Sequence, residues 1–244
     1  MNVSYDEGER QKLDVYGVNL PNDAPIVVFM HGGYWQGMNK FTSSYAIKPF
    51  VDAGIKVIVV DHDLCPDIPL SEVVKQFRKA SEFIINEAFM KKAKSISFVG
   101  HLSGAHLITL MLEQKFIDKI GSEKFKLIKN VVLISGIYDL NELKDVKCAN
   151  RDNLLSLDSS NVDSVSPAKQ TFDHLNNFSI KFFLFVGSDE SPTLQQQSNN
   201  MKDILGSSRL NAEFREVENC DHFNIVEKLS ESDYEITKII VSNI

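Results

Sequence analysis

Short runs of β-branched and aromatic residues recur along the chain, and each is bounded by Gly, Asp or Pro. They lie at 26–30, 57–60, 96–99, 131–134 and 182–186. Runs of this length between turn residues are typical of strands buried on both faces of a parallel sheet. Two alternating stretches, at 11–16 and 212–217, predict further strands, the first of them antiparallel and at an edge of the sheet.

Amphipathic stretches separate the strand-forming runs. Val73, Phe77, Ala80 and Ile84 are spaced by four, three and four residues, so they share one face of a helix over about 70–90. Further helices are predicted at 103–115, 192–205 and 223–229. Strands that alternate with helices indicate an α/β protein with a doubly wound, mostly parallel sheet and helices on both faces.

One polar stretch interrupts this alternation. Residues 141–177 are rich in Asp, Asn and Ser and only weakly periodic. We expect them to form an excursion near the pocket, with one or two short helices, and not a separate domain. Residues 1–244 then form a single domain, which is within the usual size range.

Composition removes several classes of function. Hydrophobic residues make up 43% of the chain and charged residues 24%, which excludes a disordered or fibrous protein. The net charge of −7 argues against nucleic acid or an anionic membrane as the main partner. No apolar run approaches the ~20 residues that span a bilayer, and the first residues lack the basic start and apolar core of a signal peptide.

The cysteines indicate the compartment. Cys65, Cys148 and Cys220 are an odd number at wide spacing, with no CxxC pair. This pattern predicts reduced thiols in a cytoplasmic protein, without a disulfide framework or a zinc site. We expect no metal ion and no cofactor.

The turn after the first buried strand reads His31-Gly32-Gly33-Tyr34-Trp35. In open α/β sheets the working site lies at the carboxyl ends of the strands. Two glycines there let the backbone present N–H groups to the oxyanion of an acyl-transfer intermediate. Gly-Gly alone also suits any turn between a strand and a helix, but the flanking histidine and aromatic residues make this motif more specific.

The third buried strand runs into Gly100-His101-Leu102-Ser103-Gly104 and then directly into a helix. A strand, a Gly-x-x-x-Gly turn and an immediate helix form the shape of a nucleophile elbow. Its apex is Leu102, which has neither a lone pair nor a proton for nucleophilic attack. Ser103 is interpreted either as a residue that starts the helix or as the donor of a second oxyanion N–H.

Two later segments supply acid–base candidates. Glu190 precedes the helix that Pro192 opens, where a hydrolase holds the acid that orients its histidine, although acidic residues there also complement the helix dipole. His222 follows the last strand, and a lone histidine in such a loop is more often an ordinary surface residue. The chain order of apex, acid and histidine is that of the α/β-hydrolase fold.

Together these motifs resemble the kynurenine formamidase (arylformamidase) family, in the esterase/lipase branch of the α/β-hydrolases. The resemblance rests on HGGYWQ at 31–36, GHxxGAHL at 100–107, GIYDL at 136–140, SVSP at 164–167, ESP at 190–192 and DHFNIVE at 221–227. It spans nearly the whole chain. The family hydrolyses N-formyl-L-kynurenine to kynurenine and formate, in tryptophan degradation, without a cofactor.

The resemblance implies a role for each matched residue. The backbones of Gly32 and Gly33 would be oxyanion donors, Glu190 the acid and His222 the base. The nucleophilic serine of the family falls on Leu102, and its usual alanine falls on Ser103. The family's Asp before Ser-Pro is replaced by Glu190, and we expect Glu190, not Asp189, to contact His222.

Specificity would come from the residues around the oxyanion turn. His31, Tyr34 and Trp35 are candidates for contacts with a small aromatic substrate resembling N-formylkynurenine. For Trp35, packing in the core is an equal alternative. No nucleic acid or membrane partner is expected, and a homodimer is left open.

Two functions of different kinds compete at this point. The first is an active formamidase or esterase that uses Ser103 or a water activated by His222. The second is a hydrolase-fold protein that has lost its nucleophile and binds a small aromatic ligand or a partner protein. The sequence favours a disabled or very weak site, because losing the serine of a catalytic triad costs about 10⁶-fold in turnover.

Overall fold

The computed structural model describes residues 1–144 and 146–244; the side chain of Cys148, and with it the prediction of a reduced thiol there, also lies outside the described part. The strands are β1 (Asn2–Ser4), β2 (Lys12–Tyr16), β3 (Ile26–Met30), β4 (Lys56–Val60), β5 (Ile96–His101), β6 (Ile128–Ile134), β7 (Lys181–Gly187) and β8 (Asn211–Val217). They form one eight-stranded sheet in the order β1-β2-β4-β3-β5-β6-β7-β8.

The sheet is mixed but mainly parallel, as the sequence predicted. β2 pairs antiparallel with β1 and with β4, and the pairs from β4 through β8 are parallel. The predicted edge position of the strand at 11–16 is wrong, because β1 covers the outer side of β2. A strand of only three residues carries too little alternation to be found in the sequence.

Helices cover both faces of the sheet. They are α1 (Ile47–Asp52), α2 (Leu70–Met90), α3 (Ser103–Met111), α4 (Gln114–Ile120), α5 (Ser122–Phe125), α6 (Lys147–Asn150), α7 (Pro192–Ser207), α8 (Asn224–Glu227) and α9 (Glu235–Ser242). The predicted helix at 103–115 is in fact two, because Glu113 between them is extended, with ψ of 152°. In the described part of the chain, no helix combines the length and apolarity needed to cross a bilayer.

The alternation of side chains along the strands builds a core on each face. Val28 of β3 belongs to a core that includes Phe77 of α2. Its neighbour Val27 points to the other face and joins a core with Phe50 of α1 and Ile236 of α9. Both cores exclude water from the central strands, which explains why those strands read as continuous apolar runs.

The excursion at 141–177 contains more helical segments than the one or two predicted. Besides α6 it has 3₁₀ turns at Arg151–Asn153, Val162–Val165, Pro167–Lys169 and Asp173–Asn177. Gln36 Nε2 donates to the Ala149 carbonyl oxygen at 2.6 Å, and His106 Nε2 contacts the Val165 carbonyl oxygen at 2.7 Å. The excursion therefore packs against the turn after β3 and against α3. The single-domain organisation of 1–244 stays a prediction.

Candidate active site

The turn between β5 and α3 has the backbone of a nucleophile elbow. Leu102 at its apex has φ of 50° and ψ of −111°, a region that leucine rarely adopts. A Cβ at Gly100 would lie 2.6 Å from the backbone N of Ala105, and a Cβ at Gly104 would overlap the carbonyl oxygen of Met30. The two glycines thus allow α3 to pass directly over the ends of β5 and β3, and that crossing fixes the sharp turn at Leu102.

The side chain at the apex is enclosed by the protein. Leu102 is 2% exposed and belongs to the larger hydrophobic core. Its N–H donates to the Ile134 carbonyl oxygen at 3.0 Å, which ties the apex to the carboxyl end of β6. Burial of this side chain offsets part of the cost of the strained backbone, about 1–3 kcal/mol.

The turn after β3 lies against this apex. A Cβ on Gly32 would come 2.9 Å from His101 Nδ1 and 3.3 Å from the Leu102 Cβ. Gly33 has φ of 111°, and a side chain there would overlap the Gly37 carbonyl oxygen. In the described part of the chain the N–H groups of Gly32 and Gly33 donate no backbone hydrogen bond. Both groups therefore have no backbone acceptor, and their role as oxyanion donors stays a prediction.

His31 is held by a buried polar network and does not line an open cleft. It is 1% exposed, stacks on His62 with ring centroids 5.4 Å apart, and lies 3.8 Å from Asp61 Oδ1 through Nε2. Asp61 also accepts a hydrogen bond from Arg10 at 2.8 Å. Burial alone would raise the pKa of Asp61, but His31 and Arg10 outweigh it and lower the pKa. The network fixes the start of the glycine turn.

Of the two aromatic residues in the turn, Trp35 belongs to the core. It is 1% exposed and packs edge-on against His106, with ring centroids 4.8 Å apart. This burial agrees with the alternative of packing in the core, and a contact of the Trp35 ring with an aromatic ligand stays a prediction. Tyr34 is half-buried, with φ of 51°, and packs against the same core.

The acid and the histidine meet as the sequence predicted. His222 Nδ1 lies 3.0 Å from Glu190 Oε2, while Asp189 is exposed. Glu190 is 7% exposed, and its other oxygen, Oε1, accepts a hydrogen bond from Ser135 Oγ. A carboxylate fixed on both oxygens can hold the imidazole in one orientation and one tautomer.

His101 connects the two halves of the site. Its ring lies 4.6 Å from that of His222 between centroids, and a Cβ on Gly32 would come 2.9 Å from its Nδ1. Burial, with a smaller contribution from the His222 imidazole, lowers the pKa of His101 to about 3. His101 is therefore neutral near pH 7, and through it Gly32, Leu102 and His222 converge at the carboxyl edge of the sheet.

Ser103 is the first residue of α3 and is 1% exposed. Its position at the helix start suits the interpretation as a backbone N–H donor more closely than that of a nucleophile, since the apex direction belongs to Leu102. Five of the cavities in the described part of the chain have volumes of about 300 to 400 Å³, and Leu102, Ser103, Glu190 and His222 line none of these five.

The remaining groups with ligand chemistry are dispersed. Cys65 and Cys220 are free and buried. Among the described residues, no group of three or more His, Cys, Asp or Glu side chains is arranged to hold a metal ion.

Sequence reasoning missed several residues that shape this site. Ser135, which holds Glu190, directly follows β6 and has φ of 50°. Its position at the carboxyl end of a buried strand was the available signal. Asp61 likewise follows β4, whereas nothing in the sequence pattern connects Arg10 with it.

Comparison with known proteins agrees with this geometry. The family model described as BD-FAE matches residues 13–205. A kynurenine formamidase of Drosophila melanogaster is 32% identical over 98% of this chain and 79% of its own length. A kynurenine formamidase of Salmo salar is 31% identical over 99% of this chain and 80% of its own length.

Solved structures share the fold. A candidate thioesterase from Silicibacter sp. TM1040 superposes with a TM-score of 0.81 at 26% identity, over 100% of this chain and 84% of its own. Esterase B from Lactobacillus rhamnosis superposes with a TM-score of 0.76 at 15% identity, over 99% of this chain and 86% of its own. The elbow, the acid–histidine pair and these relatives lead to one assignment: the chain belongs to the kynurenine formamidase family of α/β-hydrolases.

Proposed function

We propose that this protein is a kynurenine formamidase-like hydrolase whose active site is disabled at the nucleophile. Leu102 carries the proposal, because it occupies the strained apex of the elbow and is 2% exposed. Hydrolysis of a formamide through a covalent intermediate needs an oxygen or sulfur lone pair at that point. A leucine side chain offers none.

The rest of the machinery supports hydrolase ancestry for the site. Glu190 and His222 form an acid–base pair, and the glycines of the turn after β3 lie beside Leu102. The ligand class that follows from the family is a small aromatic formamide, and the full family reaction converts N-formyl-L-kynurenine and water into L-kynurenine and formate. Without the serine, turnover should fall about 10⁶-fold, leaving ~10³–10⁴-fold acceleration over water.

The second candidate is an active formamidase that attacks through Ser103 or through a water activated by His222. The intact contact between His222 and Glu190 favours the water route. Ser103 is the weaker nucleophile candidate, because it lies inside the first turn of α3. If the disabled site has no catalytic activity at all, the remaining function is that of a module that binds an aromatic ligand or a protein. A cytoplasmic location and a homodimer stay predictions.

The deciding experiment compares the native chain with Leu102→Ser and Leu102→Ala. Turnover of N-formylkynurenine and of a simple aryl ester is measured for each purified protein. We expect negligible turnover by the native chain and at least about 10³-fold more by Leu102→Ser, which supplies the missing oxygen. Leu102→Ala is the matched control, since it opens the same space without adding a nucleophile.

Two results would contradict the proposal. Brisk turnover by the native chain that Ser103→Ala abolishes would place the nucleophile at Ser103. Equal rates for Leu102→Ser and Leu102→Ala would show that the apex oxygen is not what the site lacks. Ser103→Ala keeps the backbone N–H at that position, so it removes only the hydroxyl.

A further inference from the structure

An apolar cavity of about 300 Å³ lies far from the candidate active site, between the antiparallel end of the sheet and α2. Its walls include Val3, Leu13, Val15, Ile58, Phe83 and Ile84. Ile26 and Lys56, the first residues of β3 and β4, also line it. It therefore opens toward the amino ends of parallel strands, whereas Leu102 and His222 lie at the carboxyl edge.

The polar end of this cavity carries a cation without a counter-ion. Lys56 is 9% exposed, and its Nζ donates one long hydrogen bond, of 3.4 Å, to the Asn22 carbonyl oxygen. It forms no ion pair with any described residue. Lys91 and Glu87, which also line the cavity, pair with each other at 3.0 Å, and Asp23 acts on Lys56 only through its charge and not as an ion-pair partner.

The environment of Lys56 is unfavourable to its charge. Burial and the like charge of Lys91 lower the pKa of the Lys56 ammonium, against a smaller opposite effect of the Asp23 carboxylate. A poorly solvated cation gains more from an incoming anion than an exposed lysine does, because it has less water to lose. The site thus presents an apolar cavity with the positive charge of Lys56 at its polar end.

From this arrangement we propose that the cavity binds an unbranched aliphatic carboxylate of medium length, such as decanoate. Its head group pairs with Lys56, and its chain lies along the aliphatic walls. The volume is at the lower end of the range for small-molecule sites, about 300–1,000 Å³, which fits one alkyl chain and excludes a two-chain lipid. The walls are mainly aliphatic, with Phe83 as the aromatic contact, so an alkyl chain suits them better than a flat aromatic ring.

Isothermal titration calorimetry on the full chain tests the proposal, with decanoate, octanoate, hexanoate, decanol and decylamine as probes. We expect one decanoate per chain, and up to about 15-fold weaker binding for each pair of methylenes removed. Decanol and decylamine, which lack the anion, are expected to bind at least about tenfold more weakly than decanoate.

Two variants locate the site. Lys56→Met keeps the apolar stem and should weaken decanoate at least about tenfold while leaving decanol unchanged. Lys126→Met is the matched control, since Lys126 pairs with Glu123 at 2.6 Å and does not line the cavity. Ala88→Leu, which extends a side chain from α2 into the cavity, should block both decanoate and decanol.

Several outcomes would overturn the assignment. These are the absence of saturable heat at about 1 mM decanoate, equal affinity of native and Lys56→Met protein, and binding of decylamine as tight as that of decanoate. Light scattering that shows a dimer from which decanoate is excluded would assign the cavity to a second copy of the chain. The readout is heat of binding and not hydrolysis, so the result is independent of whether Leu102 disables catalysis.

Discussion

Glu190 and His222 on one side of the candidate site differ sharply from Leu102 on the other. On the first side, the carboxylate contacts His222 Nδ1 at 3.0 Å and is held by Ser135. On the second, an apolar side chain is 2% exposed at a backbone conformation with φ of 50°. The first side keeps the polar contacts of an acid–base pair. The second side keeps the backbone of a nucleophile elbow but has no side chain that can act as a nucleophile.

The difference shows that the backbone of the elbow does not depend on the residue it presents. Gly100 and Gly104 allow the close crossing of α3 over two strands, and the N–H of Leu102 is tied to β6. These contacts are made by the backbone, so the turn forms with leucine as it would with serine. Strain at the apex is then a property of the scaffold and carries no information about activity.

The largest effect on the polar side is expected from Glu190→Gln in the Leu102→Ser protein. An amide at Glu190 favours the wrong tautomer of His222, which in a measured triad costs about 10⁴-fold in kcat. Asp189→Asn is the matched control, because Asp189 is exposed and does not contact the imidazole. Similar losses for both variants would show that the hydrogen bond to Glu190 has no part in catalysis.

The buried imidazoles on the apolar side should make stability depend on pH. Burial lowers the pKa of His62 and of His101 to about 3 and that of His106 to about 4. An unfolded histidine titrates near pH 6.5, so below that pH the unfolded chain binds protons that the folded chain excludes. The contribution of these neutral imidazoles to the free energy of unfolding is therefore fully present above pH 6.5. It is lost as the pH falls toward 4.

With three such groups, the free energy of unfolding should fall by up to about 4 kcal/mol per pH unit. Denaturant titrations at pH 7.5, 6 and 5 measure the slope. His106→Gln should reduce this slope by the contribution of about one proton, since glutamine does not titrate. A free energy that is flat across this range would mean that these imidazoles are protonated in the folded protein.

Ser135→Ala tests whether the acid needs its second hydrogen bond. In the Leu102→Ser protein we expect a loss of tenfold to about 100-fold in kcat, with KM nearly unchanged, because misplacing a catalytic group by about 1 Å has that effect. Ser135→Thr retains the hydroxyl and should recover part of the rate. The Gly187 N–H also donates to Glu190 Oε1, at 3.4 Å. If the alanine variant is fully active, that hydrogen bond is enough to hold Glu190 in place.

Two substitutions of Leu102 test the strain of the apex backbone. Leu102→Ala removes buried apolar contacts and should cost about 2–5 kcal/mol in the free energy of unfolding. Leu102→Gly loses the same contacts but relieves the strain of a positive φ, so we expect it to be more stable than Leu102→Ala by roughly 1–3 kcal/mol. An alanine variant more stable than the glycine variant would mean that the turn relaxes when leucine is removed.

The sequence predicted those helices and strands whose pattern of apolar residues is long enough to recognise. α2 runs over Leu70–Met90, as its period of apolar residues predicted, and β3 matches its apolar run. β1 was missed because a three-residue strand gives a weak signal. α9 was missed although Ile236, Ile239 and Ile240 stand at helical spacing, because eight residues are a short window for that period. The 3₁₀ turns of the excursion have no period to detect.

At the candidate site, local motifs predicted which residues lie there. They did not predict whether each side chain is buried or exposed. The contact of Glu190 with His222 followed from chain order and motif spacing. The burial of Trp35 did not, since the same aromatic residue after a turn can line a pocket or fill a core. Contacts such as that of Arg10 with Asp61 join residues distant in sequence, and no local pattern encodes them.

The glycines of the elbow also have an evolutionary consequence. They hold the apex in place whichever residue stands there. Position 102 therefore keeps the backbone geometry of a nucleophile and lacks only the nucleophilic side chain. Two leucine codons, TTA and TTG, differ from serine codons TCA and TCG at a single base. A gene that uses either codon at this position lies one point mutation from a serine at the apex, already aimed by Gly100 and Gly104.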